Sequence, residues 1–442
     1  MQDLKNTRLQ NAVKGLSPLL IRVGGRLQDQ VVYKIGDPSR PCLPFTPDPS
    51  ARFGVKGGCL NMTRWEALNN FFKQTGSKLA FGLSASYGRE NNLNSGNWDP
   101  SNTQNLISFT ASQGYDIFAW ELGNELLGSI PPSRYASDVK TFRGIIDNVY
   151  GSSSNKPLLV APDAVFNKDL YRQFLQSSRP NDIDVCTAHI YNIGPATDPI
   201  GVLEDRILNP TVLNYERTAF NNMNNLLKAH GSWTKPGVGE AGGIFHGGAH
   251  LVSDAFLNSF WYTDQMGEAA TFGNHFYCRQ TLVGFYYGLL DTTTLRPNPD
   301  FYSAKLWTDL MGNNVLPAIV TGSPYLRAYS HCSKGDTASA TVILINLSKT
   351  TDFSVKLILS GSNGCQGTSG CQRLEYHLTA PQGNLHSRTI MLNGNILDLL
   401  PDDQLPDMNP RVVDSSTPIS VVRTSIVYVK LVNVSLPACS QA

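Results

Sequence analysis

The sequence carries little charge and no excess of either sign. Of its 442 residues 16% are charged, with a formal net charge of +1, whereas globular proteins usually carry about 25%. This excludes the broad basic surface with which proteins bind nucleic acid or anionic membranes. No uninterrupted apolar run approaches the roughly 18 residues that a membrane-spanning helix needs. The hydrophobic content of 41% is ample for a large core.

The cysteines exclude one kind of metal site. None of the 8 lies in a Cys-x-x-Cys pair, so a zinc ribbon is not expected. Connectivity cannot be proved from sequence. The candidate disulfides are Cys42–Cys59, Cys332–Cys439 and Cys365–Cys371. Cys186 and Cys278 fall in predicted core strands, where buried thiols are expected.

Signals of cellular compartment disagree with one another. Three N-glycosylation sequons, which fit the secretory route, begin at Asn61, Asn346 and Asn433. A secreted protein should start with a charged segment followed by an apolar one. This chain starts Met1-Gln2-Asp3-Leu4-Lys5-Asn6, which is typical of the approach to a helix. Either the signal lies upstream or the chain is truncated, and we favour truncation.

The first 315 residues alternate between short β-rich runs and helical patterns. The predicted strands are 19–23, 78–83, 117–121, 158–161, 184–189, 237–240 and a stretch within 270–278. The predicted helices are 63–74, 133–150, 212–229, 253–266 and 302–311, the first with a capping box from Thr63 to Glu66. This alternation favours a (β/α)₈ barrel, with a doubly wound sheet as the alternative.

The strand count predicts where the barrel's functional face lies. Seven strands are clear, and 284–290 could extend the last. If the first barrel strand is missing from this chain, 117–121 becomes strand four and 237–240 strand seven. Both strands would then end at the face where barrel active sites lie.

The pattern changes at about residue 316. Segments 340–346, 353–359, 373–378, 389–392 and 420–432 alternate apolar and polar residues between Gly, Asn and Pro turns. This alternation predicts an antiparallel β-sandwich. We therefore divide the chain into a barrel domain, 1–315, and a sandwich domain, 316–442.

Two segments place a glutamate just past a buried strand. The first is Phe118-Ala119-Trp120-Glu121-Leu122-Gly123-Asn124-Glu125, and the second is Lys235-Pro236-Gly237-Val238-Gly239-Glu240. A retaining glycosidase needs two such carboxyl groups, a proton donor and a nucleophile. Glu121 competes for the donor role, but it lies inside its strand and is expected to pair within the barrel, with Arg22. Asn124 is suited to bind a sugar hydroxyl.

Other polar residues at strand ends could complete the site. Tyr191 could orient the nucleophile through its phenol, although an aromatic there is more often packing. His246 and His250 are spaced four apart, but their glycine-rich segment is poor helix and no metal is expected. Gln280 and Tyr287 could line the rim of the pocket. The glycines after Glu240 lack a following Gly-Lys-Ser/Thr, so no phosphate loop and no cofactor are predicted.

Longer motifs resemble a known family. The Trp120–Glu125 segment, Gly239-Glu240-Ala241-Gly242-Gly243, Asn258-Ser259-Phe260-Trp261-Tyr262 and Tyr277-Cys278-Arg279-Gln280 are similar to plant heparanase-like proteins of glycoside hydrolase family 79. The resemblance covers essentially the whole chain. It implies a barrel with a β-sandwich and retaining hydrolysis of β-glucuronides. It also implies that Glu125 is the acid/base, that Glu240 is the nucleophile, and that His246-Gly247 and Tyr287 recognise the carboxylate.

Two departures from the family bear on activity. The family has a further barrel strand and a secretion signal ahead of the part that matches this chain's start. Plant members also usually read Gly-Gly-Asn-Tyr-Gly where this chain has Gly284-Phe285-Tyr286-Tyr287-Gly288. The two glutamates and the resemblance nevertheless make a β-glucuronidase for arabinogalactan-type glycans or flavonoid glucuronides the leading hypothesis. The alternative is a non-catalytic carbohydrate-binding barrel.

These hypotheses set the expected partners and compartment. The expected partner is a glucuronide, as a glycan or with a small aglycone, and no nucleic acid. Peripheral association with a membrane or the cell wall is left open. The expected location is extracellular or vacuolar.

Overall fold

Seven parallel strands build the first part of the molecule. The computed structural model describes residues 2–36, 41–51, 54–89, 96–359, 371–434 and 436–440. The strands are hydrogen-bonded in chain order: β1 Leu20–Val23, β2 Lys78–Leu83, β3 Ala119–Leu122, β4 Leu158–Val165, β5 Val185–Ile190, β6 Lys235–Ala241 and β7 Tyr277–Arg279. In this described part of the chain, β1 and β7 contact each other without pairing, so the sheet is a nearly closed barrel. The predicted barrel class is confirmed.

Helices surround this sheet and connect its strands. They are α1 Thr7–Gly15, α2 Met62–Thr75, α3 Ser101–Ser112, α4 Pro132–Tyr150, α5 Lys168–Ser177, α6 Ile200–Ile207, α7 Pro210–Leu213, α8 Tyr215–His230, α9 Leu257–Thr271 and α10 Pro299–Leu310. Because helices cover the sheet, strands such as β3 are buried at every position. None of the helices in the described ranges combines the length and apolar character of a membrane span.

Three local predictions were wrong. The side chain of Asn61, not Thr63, caps α2, because its oxygen accepts a hydrogen bond from the backbone N–H of Arg64 at 2.8 Å. The helix predicted over 212–229 is divided at Asn214 into α7 and α8. Segment 284–290 does not extend β7; a single bridge joins Val283 to Leu290.

The C-terminal part is an antiparallel β-structure, as predicted. Its strands are β8 Met311–Leu316, β9 Leu326–Ser333, β10 Ala340–Asn346, β11 Phe353–Val355, β12 Gln372–Thr379, β13 Met391–Leu392, β14 Asn395–Ile396, β15 Arg411–Asp414, β16 Ile419–Val421 and β17 Ser425–Leu431. The main sheet has the order β8-β9-β10-β17-β12-β13-β14, with β15 also on β12, while β11 pairs with β16. The proposed domain division at 315/316 falls inside β8, which follows α10 directly.

The disulfides formed by the described residues are among those considered from the sequence. Cys42 is bonded to Cys59 and Cys332 to Cys439. The proposed partner of Cys371, Cys365, lies outside the described residues. Cys186 and Cys278 are buried free thiols, as predicted.

One of the three sequons lies in the interior. Asn346 is 0% exposed, and its side-chain amide donates hydrogen bonds to the carbonyls of Thr351 (2.8 Å) and Val421 (3.0 Å). The nitrogen that would carry a glycan is therefore inaccessible in the folded chain. Asn61 and Asn433 are exposed.

Candidate functional site

The two glutamates of the sequence motifs face each other at the C-terminal ends of the barrel strands. Glu125 follows β3, and Glu240 lies near the end of β6. One carboxylate oxygen of Glu125 lies within 4.8 Å of one of Glu240. The Glu125 side chain is 43% exposed and that of Glu240 14% exposed. The barrel therefore presents two carboxyl groups to the same small volume.

Glu240 is held from two sides. The phenol of Tyr191 donates a hydrogen bond to its Oε1 atom at 2.6 Å, and Arg22 Nη1 lies 3.0 Å from its Oε2 atom. Burial and the charge of Glu240 raise the pKa of Tyr191 well above its usual range, so the phenol keeps its proton and donates. Gly242, two residues after Glu240, leaves room for the Tyr191 ring, because a Cβ at this position would lie 2.5 Å from the ring.

Arg22 is the central cation of the site. Its Nε and Nη2 atoms bind the carboxylate of Glu121 at 2.7 and 2.8 Å, the pairing predicted from sequence. Nη2 also binds Asp163 at 2.5 Å and Asn124 Oδ1 at 2.8 Å, while Nη1 reaches Glu240. Glu121 is buried, and Arg22 binds both of its carboxylate oxygens. Burial, partly offset by Arg22, raises its pKa to about 7.

His189 lies between two carboxylates. Its Nδ1 atom is 2.8 Å from Glu125 Oε1, and its Nε2 atom is 2.9 Å from Asp163 Oδ2. Only an imidazolium carries an N–H on both ring nitrogens, so the two neighbouring carboxylates favour the charged ring. Burial alone would lower the pKa of His189, but Asp163 and Glu125 outweigh it and raise the pKa to about 10. Burial alone would raise the pKa of Asp163, but Arg22 and His189 hold it well below its usual range.

The surroundings of Glu125 differ from those of a typical general acid. An acid/base residue is expected to have a raised pKa. The hydrogen bond from His189 instead lowers the pKa of Glu125, and this effect exceeds that of partial burial. The motif around Glu125 contains no sign of this partner, which comes from another strand. His189 therefore stabilises the ionised form of Glu125.

The remaining residues of the sequence prediction lie around this centre. Asn124 is buried, with its backbone N–H donating to Asp29 at 2.8 Å and its side-chain oxygen facing Arg22. The side-chain oxygen of Gln280 contacts the Tyr191 phenol. Burial and the charge of Glu240 raise the pKa of Tyr287 to about 12.

The predicted carboxylate-binding segment, His246-Gly247, contacts the loop that follows strand β7. The Gly247 carbonyl accepts a hydrogen bond from the Tyr286 N–H at 2.9 Å, and a Cβ at Gly248 would lie 2.9 Å from the Tyr287 nitrogen. His246 and Gly247 both have left-handed backbone conformations, with φ of 66° and 97°. The structure thus brings His246, Gly247 and Tyr287 to one side of the site.

The site is poorly suited to a metal ion. Glu125, His189 and Glu240 could each offer one ligand atom, and these atoms lie within 4.8 Å of one another. Arg22 already binds Glu240, and His189 is held in its cationic form, so a further cation would meet two positive charges. Of the pair His246 and His250, the latter is bonded to Asp254 at 2.8 Å.

Comparison with known proteins identifies the family. Residues 1–267 match the N-terminal domain of glycosyl hydrolase family 79. Similar proteins include heparanase-like protein 3 of Arabidopsis thaliana, 42% identical over 99% of this chain and 86% of the relative. Baicalin-beta-D-glucuronidase of Scutellaria baicalensis is 35% identical over 97% of this chain and 83% of the relative.

Solved structures agree on the fold. A 4-O-alpha-L-rhamnosyl-beta-D-glucuronidase from Fusarium oxysporum 12S superposes with a TM-score of 0.68 at 17% identity, covering 96% of this chain and 91% of that one. An alpha-L-arabinofuranosidase from Thermotoga maritima gives 0.68 at 13% identity, covering 97% and 91%. Because the family model matches residues 1–267 and the plant relatives match nearly the whole chain, this chain belongs to glycosyl hydrolase family 79.

Proposed function

We propose that this protein is a retaining β-glucuronidase. The observation that carries the proposal is the pair Glu125 and Glu240, whose carboxylate oxygens lie within 4.8 Å of each other. Retaining glycosidases have carboxyl groups about 5–5.5 Å apart, whereas inverting enzymes leave room for a water molecule between groups about 6.5–9.5 Å apart. The short separation supports the retaining mechanism.

The first chemical step forms a bond to Glu240. Its carboxylate attacks the anomeric carbon while the bond from that carbon to the aglycone oxygen breaks. The contacts from Arg22 and Tyr191 support a fixed orientation of the Glu240 carboxylate. Glu125 gives its proton to the leaving oxygen. The hydrogen bond from His189 lowers the pKa of Glu125, so the protonated form that this step needs is favoured at acidic pH.

The second step reverses these roles. Glu125, now a carboxylate, takes a proton from water, and the resulting hydroxide attacks the anomeric carbon as the ester bond to Glu240 breaks. The hydrogen bond from His189 stabilises the ionised form that this step requires. The hydrogen bond that opposes the acid role therefore favours the base role.

The sugar is proposed to be glucuronic acid. Supporting this are the similarity to a plant glucuronidase, the proximity of Tyr287 to Glu240, and the hydrogen bond that joins Gly247 to the neighbouring Tyr286. Backbone N–H groups and a phenol that remains protonated can donate to a C6 carboxylate. Candidate substrates are arabinogalactan-type glycans and flavonoid glucuronides. We also propose that the protein is secreted or vacuolar, because its two disulfides suit an oxidising compartment.

A chromogenic assay tests the proposal. The purified chain should release the chromophore from an aryl β-glucuronide with retention of configuration, and from the aryl β-glucoside much more slowly. Binding of the glucuronide without release would favour the alternative, a carbohydrate-binding protein without turnover. Besides the missing first strand, the bulky Phe285, which is 71% exposed beside Gly247, supports this alternative.

A further inference from the structure

A second cluster of ionisable residues lies behind the site, where the barrel meets the β-sandwich. Three carboxyl groups, those of Glu216, Asp264 and Glu268, are 0% exposed. The guanidinium of Arg327, from strand β9 of the sandwich, binds Asp264 and reaches Glu268 at 3.0 Å. Arg217 binds Glu268 from the solvent side at 2.6 Å. Three buried carboxyls thus face two guanidiniums, so charge balance favours one protonated carboxyl.

Glu216 is the carboxyl that differs from the others. Within the described part of the chain it has no ion pair with an Arg or Lys, whereas Asp264 and Glu268 both bind Arg327. Its Oε1 atom accepts a hydrogen bond from the side-chain amide of Asn192 at 2.6 Å. Burial and the negative charge of Asp264 raise the pKa of Glu216 well above its usual range. Glu216 therefore acts as a neutral acceptor for Asn192.

The side chain of Asn192 is held at both ends. Its oxygen accepts hydrogen bonds from Trp261 Nε1 at 2.8 Å and from Gln265 Nε2 at 3.4 Å, while its nitrogen is bound by Glu216. Trp261 and Gln265 belong to α9 and Glu216 to α8, so Asn192 is fixed between two helices.

Asn192 directly follows Tyr191, the residue whose phenol binds Glu240. On its other side, the Ile193 N–H donates to the Gly243 carbonyl at 3.0 Å, which ties this segment to the loop after Glu240. Trp261 packs against the same loop, because a Cβ at Gly243 would lie 2.9 Å from its ring. The backbone that carries the phenol is therefore fixed by Asn192 and by the glycine turn.

We propose that Asn192, anchored by the neutral carboxyl of Glu216, is a positioning residue that holds the Tyr191 phenol on Glu240. Arg327 binds Asp264 and Glu268 and leaves the Asn192 amide as the partner of Glu216, so the β-sandwich supports the nucleophile through this cluster. The inference rests on the proposed function, in which Glu240 is the nucleophile. It assigns a role to residues that do not contact the proposed substrate.

Steady-state kinetics on an aryl β-glucuronide test the proposal. Asn192→Ala should lower kcat about 10- to 100-fold, the order of loss that a small misplacement of a reacting group causes, with KM changed little. Glu216→Gln keeps a neutral acceptor and should stay within about twofold of the parent, whereas Glu216→Ala should resemble Asn192→Ala. In the Tyr191→Phe background, Asn192→Ala should have almost no further effect, because the phenol it positions is gone.

A matched control separates positioning from general loosening. Asn224 also joins α8 to the end of α9, through a hydrogen bond from its amide to the Phe272 carbonyl at 2.9 Å, but it does not touch the Tyr191 segment. Asn224→Ala should therefore leave kcat unchanged. An equal loss of kcat in both variants, or additive losses with Tyr191→Phe, would overturn the proposal.

Crystal structures of the parent and the variants provide a readout that does not need turnover. The Tyr191 phenol should leave Glu240 in Asn192→Ala and remain on it in Asn224→Ala. If the parent hydrolyses no glucuronide, the proposed function fails, yet the position of the phenol still tests the role of Asn192. A phenol that stays within hydrogen-bond distance of Glu240 in Asn192→Ala rejects that role.

Discussion

The Nδ1 atom of His189 lies 2.8 Å from the Oε1 atom of Glu125, and the other ring nitrogen is bound to buried Asp163. The exposed carboxyl at the mouth of the barrel is thus connected, through one imidazole, to a carboxylate in the barrel interior. This relationship sets the protonation of Glu125 and distinguishes it from Glu121, which Arg22 neutralises directly.

The first prediction concerns the pH dependence of kcat/KM. The hydrogen bond from His189 stabilises the ionised form of Glu125 and so lowers its pKa. His189→Gln removes the positive charge, so the pKa of Glu125 should rise and the alkaline limb of the pH profile should move to higher pH. The maximal rate should fall about 10²-fold, the order typical of losing proton-transfer assistance. His275→Gln, at the other end of the barrel strands, should change neither quantity. An alkaline limb that stays in place would show that His189 does not set the protonation of Glu125.

The second prediction concerns stability and uses the same residue. The pKa of His189 is raised in the folded chain to about 10, from a reference of 6.5. A raised pKa contributes stability that is fully present below the unfolded pKa and is lost as pH rises through the folded value. The difference in unfolding free energy between the parent and His189→Gln should therefore be largest below about pH 6.5 and shrink toward about pH 10. Chemical denaturation across this range measures it. A constant difference would contradict the charged state of His189.

The third prediction concerns the nucleophile. Glu240→Gln should reduce kcat by at least about 10³-fold, as expected for loss of a covalent nucleophile, while circular dichroism remains unchanged. Gln keeps the size of the side chain, and its single oxygen can still accept from either Tyr191 or Arg22. Glu66→Gln, on the exposed face of α2, is the matched control and should be fully active. Full activity of Glu240→Gln would reject the assignment.

The fourth prediction separates the two chemical steps. Glu125→Ala should hydrolyse substrates whose leaving groups need no proton, and should lose about 10²- to 10⁴-fold on those that do. Azide should accelerate the second step, because it needs no general base, and the product should be a β-glucuronosyl azide identified by mass spectrometry and NMR. If Glu125→Ala cleaves a poor-leaving-group glucuronide as fast as the parent, Glu125 is not the proton donor.

The strand assignments and the pairing of Glu121 with Arg22 could be predicted from the sequence. Continuous apolar runs ending in polar turns mark parallel barrel strands, and a charged residue inside such a run has to find a buried partner. The contribution of Asp163 could not be predicted in this way. Strand β4 shifts its register between Ala161 and Ala164, and this irregularity turns Asp163 toward Arg22 and His189.

A similar irregularity affects the strand that carries Glu240. Strand β6 shifts its register against β5 between Val238 and Glu240, and the intervening Gly239 faces Asp163 so closely that a Cβ would overlap the carboxylate. The sequence shows the glycine but not its neighbour, because the contact depends on a register that local pattern does not specify. The buried cluster at Glu216 escaped prediction because its members come from three separate elements, α8, α9 and β9.

The last prediction concerns selectivity for the sugar. Burial and Glu240 keep the Tyr287 phenol protonated, with a pKa of about 12, so it can donate to a C6 carboxylate in the pH range of catalysis. Tyr287→Phe removes one charge-assisted hydrogen bond, whose contribution is about 1.5–3 kcal/mol. That corresponds to a fall of roughly 10- to 100-fold in kcat/KM for an aryl glucuronide. The aryl glucoside lacks the carboxylate, so its slow hydrolysis should change little.

Tyr286→Phe, on the neighbouring exposed position, is the control and should preserve the preference for the glucuronide. An equal loss on both sugars in Tyr287→Phe would mean that the phenol supports the site generally and does not read the carboxylate.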